Sequence, residues 1–208
     1  MKELPENTLN RLIIYLKVLE NLEKKKVDSV SSEDLARLSG VNSAQLRKDL
    51  SFVGTLGTKG VGYSVKALKY NLKKFLGRTE EWNVVIGGVT PLSKYLIENA
   101  QLQREGFFIM AVFDTNPENI GLVIGGVSVY NLDQLSYVCK AIKVDIGIIA
   151  TDEEQETYFS AFVQHGIKAI LNLSNYPLFS EDEKIKVENL SLVHGLTKLS
   201  YYLKNLGS

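Results

Sequence analysis

The chain has 208 residues, 24 Lys+Arg against 24 Asp+Glu and a hydrophobic share of 45%. That is room for two small domains, each with its own core, and the zero net charge excludes a uniformly basic or acidic protein. No apolar run approaches the ~20 residues that cross a bilayer, and MKELPENTLN has no signal-peptide core, so the expectation is a cytoplasmic protein with no membrane partner. A single cysteine, Cys139, leaves no intrachain disulfide and reads as a small buried hydrophobe. The two histidines, His165 and His194, lack Cys or His at ligand spacing, so no metal site is expected. The zero charge hides two halves. Residues 1–78 hold 15 Lys+Arg and 8 Asp+Glu, a net of +7; residues 79–208 hold 9 and 16, a net of −7. A basic first third joined to an acidic body suggests a nucleic-acid-binding module attached to something else.

In chain order, Leu9, Leu12, Ile13, Leu16, Leu19 and Leu22 recur at helical spacing and predict one long amphipathic helix ending near Lys24–Lys26. Ser31 and Ser32 before Glu33 and Asp34 start a second helix, with Leu35 and Leu38 inward and Gly40 at its end. Ser43 or Asn42 caps a third helix, AQLRKDLSFV. Leu46 and Leu50 form its buried side, and Gln45, Arg47, Lys48 and Ser51 project outward. Gly54, Gly57, Gly60 and Gly62 then punctuate a hairpin with Lys59 near its tip, followed by a helix VKALKYNLKKFLG. Helix-turn-helix plus a basic hairpin is the layout of a winged helix, whose third helix can enter the DNA major groove. The expected DNA contacts are Ser43, Gln45, Arg47, Lys48 and Ser51 on that helix, and Lys59, Gly60 and Tyr63 on the hairpin.

From residue 79 onward, apolar β-branched runs alternate with helical segments. Strands are expected at 83–87, 107–113, 127–130, 144–150, 168–173 and 186–190, and helices at 91–104, 131–140, 153–165 and 191–206. This alternation predicts a doubly wound, Rossmann-like parallel sheet with ligands at the carboxyl edge of its strands. The first turn, GGVTPLS, has Gly87 in the first fingerprint position, but Val89 and Leu92 where G-x-G-x-x-G wants its second and third glycines. Thr90 and Pro91 still make a sound helix start, with N–H groups available to an anion. Asp114 ends the second strand of this sheet, where an acid can hold an adenosine ribose. The fourth strand ends in TDEEQE, where Thr151 or Asp152 caps a helix and the acids repel phosphate.

The motifs RKDLSFVG and GTKGVGYSV, with SSEDLARLSGV, FDTNPENIG, HGIKAILNLS and VENLSLVHGLTKLSYYL, resemble the Rex family of bacterial redox-sensing repressors over essentially the whole chain. The resemblance implies a winged-helix DNA-binding domain at 1–78, an NAD(H)-binding domain at 79–190 and a C-terminal dimerisation helix at 191–208 that swaps to the partner subunit. It also implies a homodimer on palindromic operator DNA, released when NADH binds. The cofactor-binding positions would be Gly87, Gly88, Val89, Thr90, Pro91, Leu92, Ser93, Asp114 and Thr151. Departures from the family cluster on the sensing half. Besides Val89 and Leu92, the family's Thr-Val-Pro is Thr151-Asp152-Glu153, a first-helix arginine is Lys17, an aspartate before the last helix is Ser191, and a tyrosine is Glu98. The alternative to an NADH sensor is therefore a Rex-like repressor with another effector or none. An enzyme is not expected: the chain offers no separate substrate domain and no hydride-transfer constellation of His, Lys or Tyr.

Overall fold

The computed structural model describes residues 4–54 and 62–206, which divide into two compact units with the boundary between Glu80 and Glu81. The first unit is built on α1 (Glu6–Lys24), α2 (Ser32–Leu38), α3 (Ser43–Phe52) and α4 (Val65–Phe75). Its core gathers Leu12, Tyr15, Leu16 and Leu19 of α1 with Leu35, Leu46, Leu50, Leu68 and Leu72. Leu9, Ile13 and Leu38, expected inside, are exposed, and Tyr15 joins Leu12, Leu16 and Leu19 on the buried side of α1. The helix starts follow cap chemistry. Ser31 accepts from the Asp34 N–H, and Asn42 rather than Ser43 caps α3 by accepting from the Gln45 N–H.

A two-residue ribbon, β1 (Ser29–Val30) paired antiparallel with β2 (Tyr63–Ser64), closes this unit. Gly62 is required there: its φ is +85°, and a Cβ would lie 2.4 Å from the Val30 carbonyl oxygen. The expected hairpin tip, including Gly57, Lys59 and Gly60, lies outside the described residues.

The second unit is a seven-stranded sheet of β3 (Trp82–Gly87), β4 (Phe107–Asp114), β5 (Val123–Ile124), β6 (Val127–Asn131), β7 (Ile146–Ile149), β8 (Ala169–Asn172) and β9 (Lys186–Asn189). Their order is β5-β6-β4-β3-β7-β8-β9, and all pairings are parallel except β5 with β6. The chain order reverses between β3 and β7, the crevice position at which such sheets bind ligands. Alternate residues of β3 feed opposite apolar clusters: Val84 and Ile86 one, Val85 the other. α5 (Pro91–Glu98) packs Leu96 and Ile97 on the first cluster, and α7 (Leu135–Ala141) and α8 (Gln155–Gln164) pack Leu135, Val138, Tyr158 and Phe162 on the second.

Three details differ from the sequence reading. The helix expected over 91–104 breaks at Asn99, whose side chain caps a separate α6 (Ala100–Arg104) by accepting from the Gln101 N–H. β5 was not expected; Gly125 and Gly126 turn it back onto β6. Neither Thr151 nor Asp152 caps α8. Thr151 Oγ1 accepts from the Glu153 N–H and Asp152 is taken by Asn175, so the cap position falls to Glu154 in a left-handed conformation at φ 51°. Finally, α9 (Leu192–Leu206) buries none of its residues, leaving Leu192, Leu196, Leu199, Leu203 and Leu206 exposed along it.

Candidate nucleic-acid interface and nucleotide cleft

The third helix of the first unit is anchored by one buried carboxylate. Asp49, 1% exposed, accepts from Arg11 Nε at 2.6 Å and Arg11 Nη2 at 2.8 Å, from the Tyr15 hydroxyl at 2.8 Å and from Gln45 Nε2 at 2.8 Å. Burial pushes this carboxyl up, and the hydrogen bonds from Arg11, Tyr15 and Gln45 outweigh it, holding it below the usual carboxylate range. The same contacts act on the partners: the Asp49 hydrogen bond raises Arg11, while burial first and Asp49 second raise Tyr15. A paired, fully bonded buried charge of this kind fixes geometry. Here it ties α3 to α1.

Outward from that anchor, Arg47, Lys48 and Ser51 are exposed, and neither Arg47 nor Lys48 enters an ion pair among the described residues. Ser43 and Gln45 are half-buried on the same helix, with one Gln45 N–H spent on Asp49. Tyr63, expected on the hairpin as a DNA contact, is 5% exposed and packs in the core of the unit. Arg11, Tyr15 and Asp49 were missed as a group because polar residues scattered over two helices carry no local motif.

In the second unit a cleft of about 870 Å³ opens at the carboxyl edge of β3, β4 and β7. Gly88, Val89, Thr90, Pro91, Leu92, Asp114 and Thr151 of the expected set line it. Gly87 and Ser93 do not: both are buried, Ser93 in a reciprocal capping box with Thr90. The turn obtains its positive φ from Gly88, at +93°, where a Cβ would sit 2.6 Å from Thr151 Cγ2. Val89 is half-buried and packs on the apolar cluster beneath the turn while also bordering the cleft; Leu92 stands exposed at its lip.

The turn's N–H groups are largely committed. Gly88 donates to the Phe113 carbonyl, Val89 to Asp114 Oδ2 at 2.6 Å, Thr90 to Ser93 Oγ and Ser93 to Thr90 Oγ1, and Pro91 has none. The Leu92 N–H, in the first turn of α5, has no intrahelical acceptor and is left for an anion. Asp114 also accepts from the Asn116 N–H at 2.7 Å and Asn119 Nδ2 at 3.2 Å. Asn116, Asn119, Tyr158 and Asn175 line the cleft as well; the Asx turn of DTNPEN was the available signal for the first two. The volume is within the range of small-molecule sites, and the glycine turn, the acid that ends β4 and the free N–H suit a dinucleotide. Among the described residues no Lys, Arg or His lines it.

Comparison with known proteins covers both units. Residues 3–51 match the family described as "Putative DNA-binding protein N-terminus" and residues 79–176 the "CoA binding domain" family. The "Redox-sensing transcriptional repressor Rex" of Carboxydothermus hydrogenoformans is 37% identical over 203 residues, 97% of each chain. The crystal structure of RSP in complex with beta-NAD+ and operator DNA superposes with a TM-score of 0.92 at 31% identity, covering 100% of this chain and 95% of that one. RSP in complex with beta-NADH gives 0.86 at 30% identity over 100% and 97%. Likeness of this degree, running through the helix-turn-helix and the nucleotide cleft alike, makes the chain a member of the Rex family of redox-sensing transcriptional repressors.

Proposed function

We propose that this protein is a cytoplasmic homodimer that binds palindromic operator DNA through α3 and changes its operator affinity with the NADH/NAD+ state of the cleft. The observation that carries the reading is the pairing, in one chain, of a rigidly anchored helix with free basic side chains and a dinucleotide-sized cleft.

On the DNA side, the Asp49 anchor holds α3 so that Arg47 and Lys48 face outward together, and a two-fold dimer would present two such helices to two half-sites. Gln45 keeps its remaining N–H and its Oε1 for a base edge, while the net charge of +7 supplies phosphate attraction. The exposed leucines of α9 support dimerisation: their apolar side is uncovered in its own unit, and a second copy of the same helix matches it in chemistry. On the sensing side, Asp114 would hold the adenosine ribose, and the Leu92 N–H with the α5 dipole the pyrophosphate. When bound, the dinucleotide supplies a ring whose charge depends on its redox state. It regulates only if it binds the DNA-free arrangement differently from the DNA-bound one. The relative at 37% identity and the superposed structures are repressors, which supports reading the cleft as the site of a regulator.

Thermal unfolding with added dinucleotide tests the sensing half. NADH at a hundredfold excess over its dissociation constant should stabilise the fold by ~2.7 kcal/mol. An unchanged melting temperature at millimolar NADH and NAD+ would leave a repressor without a redox input.

A further inference from the structure

The cleft is acidic throughout. Four carboxylates line it, from Asp114, Asp152, Glu153 and Glu154, and among the described residues no basic side chain lines it with them. Asp114 is held by the glycine turn and the Asn116–Asn119 loop, and both oxygens of Asp152 accept from Asn175. Glu153 and Glu154 are exposed and enter no ion pair among the described residues, so their charges are uncompensated. Their position is specific. Asp114 ends β4 on one side of the switch point; Glu153 and Glu154 follow β7 on the other. In a doubly wound sheet the adenosine half lies over the former and the other mononucleotide over the latter. The buried Tyr158 hydroxyl on the cleft wall is raised by burial, eased by its hydrogen bond from the Thr115 N–H, and raised again by Asp114 and Glu154.

An oxidised nicotinamide ring is cationic and a reduced one neutral, so NAD+ carries one negative charge less than NADH. Every uncompensated carboxylate in the cleft therefore favours the oxidised form, most strongly beside the ring. We propose that Glu153 and Glu154 set the redox preference of this cleft toward NAD+, so that operator release needs a higher NADH:NAD+ ratio than the same cleft would need without them. This rests on the dinucleotide reading above, and the site is the cleft itself; the glutamates tune it. A carboxylate about 6 Å from the ring shifts the ratio of the two affinities by roughly three- to tenfold, for an effective dielectric between bulk water and about half that.

The test is calorimetric titration of the full chain with NAD+ and with NADH, for wild type, the Glu153→Gln/Glu154→Gln double variant, and Glu156→Gln, a control on α8 that does not line the cleft. In low salt the double variant should tighten NADH relative to NAD+ by about tenfold or more, the gain should shrink as salt is raised, and the control should keep the wild-type ratio. Operator release should move to a lower NADH:NAD+ ratio in the double variant. If both dinucleotides bind and the double variant keeps the wild-type ratio, or if the control shifts it equally, the proposal is overturned while the dinucleotide reading stands. If no protein binds either dinucleotide, both fall together.

Discussion

The two units handle their polar groups in opposite ways. In the first, a buried carboxylate is satisfied four times over by α1 and α3, and the basic side chains beyond it are free. In the second, the turn that should greet a ligand has most of its N–H groups spent internally, and the free side chains are acidic. The first arrangement fixes a helix whose exposed basic side chains suit a polyanion. The second leaves a site that any anionic ligand must enter against an opposing field. A sensor needs this asymmetry to be modest: strong enough DNA binding to repress, and ligand affinities close enough for the redox ratio to decide.

The sharpest break in the comparison is expected from the proposed dimer. Leu199→Asp with Leu203→Asp places charges on the uncovered side of α9 and should convert dimer to monomer, read by analytical ultracentrifugation. Operator affinity should fall by about a hundredfold or more as the two α3 helices cease to act together. Next comes the anchor. Asp49→Ala leaves Arg11, Tyr15 and Gln45 without their acceptor and should cost about 2–3 kcal/mol in urea unfolding, below the figure for a fully buried pair because Arg11 can still reach water. The pH dependence has a definite sign. The folded Asp49 carboxyl is depressed, so its contribution is fully present above the ordinary carboxylate value of about 3.9 and is lost as pH falls below it. The acid limb of stability should therefore flatten in Asp49→Asn.

Arg47 and Lys48 come third. Replacing either by Ala should cost ~1–3 kcal/mol of operator binding with relaxed specificity if it reads a base edge; a phosphate contact would weaken all sequences alike and lower the salt slope by about one. Wild-type affinity in both variants would place the DNA on another face. The smallest effect is expected at Lys26, left-handed at φ 60° just after α1, with the Val27 N–H bonded back to the Leu22 carbonyl. Lys26→Gly should raise stability by roughly 0.5–1 kcal/mol, because glycine adopts this conformation without a Cβ clash.

Much of this organisation was legible in the residues. The helices of the first unit and the parallel strands of the second follow from apolar periodicity and caps such as Ser31 and Thr90, which are local signals. What was not legible depends on tertiary choice. Leu38 and Ile13 fit the helical stripe but face solvent, Tyr63 looks like a wing residue but fills the core, and Asp49 gathers donors 4, 34 and 38 positions away. In the cleft, Val89 reads as an obstruction in the fingerprint, yet it packs on the cluster below while Gly88 carries the positive φ of the turn. A spacing rule cannot foresee this, because it depends on how the turn packs against Thr151 and the cluster beneath it.

The central claim is that one molecule couples the grip of α3 to the redox state of the nucleotide cleft. Fluorescence anisotropy of a labelled palindromic operator, titrated with the full-length protein at fixed total dinucleotide and stepped NADH:NAD+ ratio, tests it directly. The account predicts tight binding in NAD+ and progressive release as the NADH share rises; an operator affinity that stays the same from all NAD+ to all NADH would contradict it.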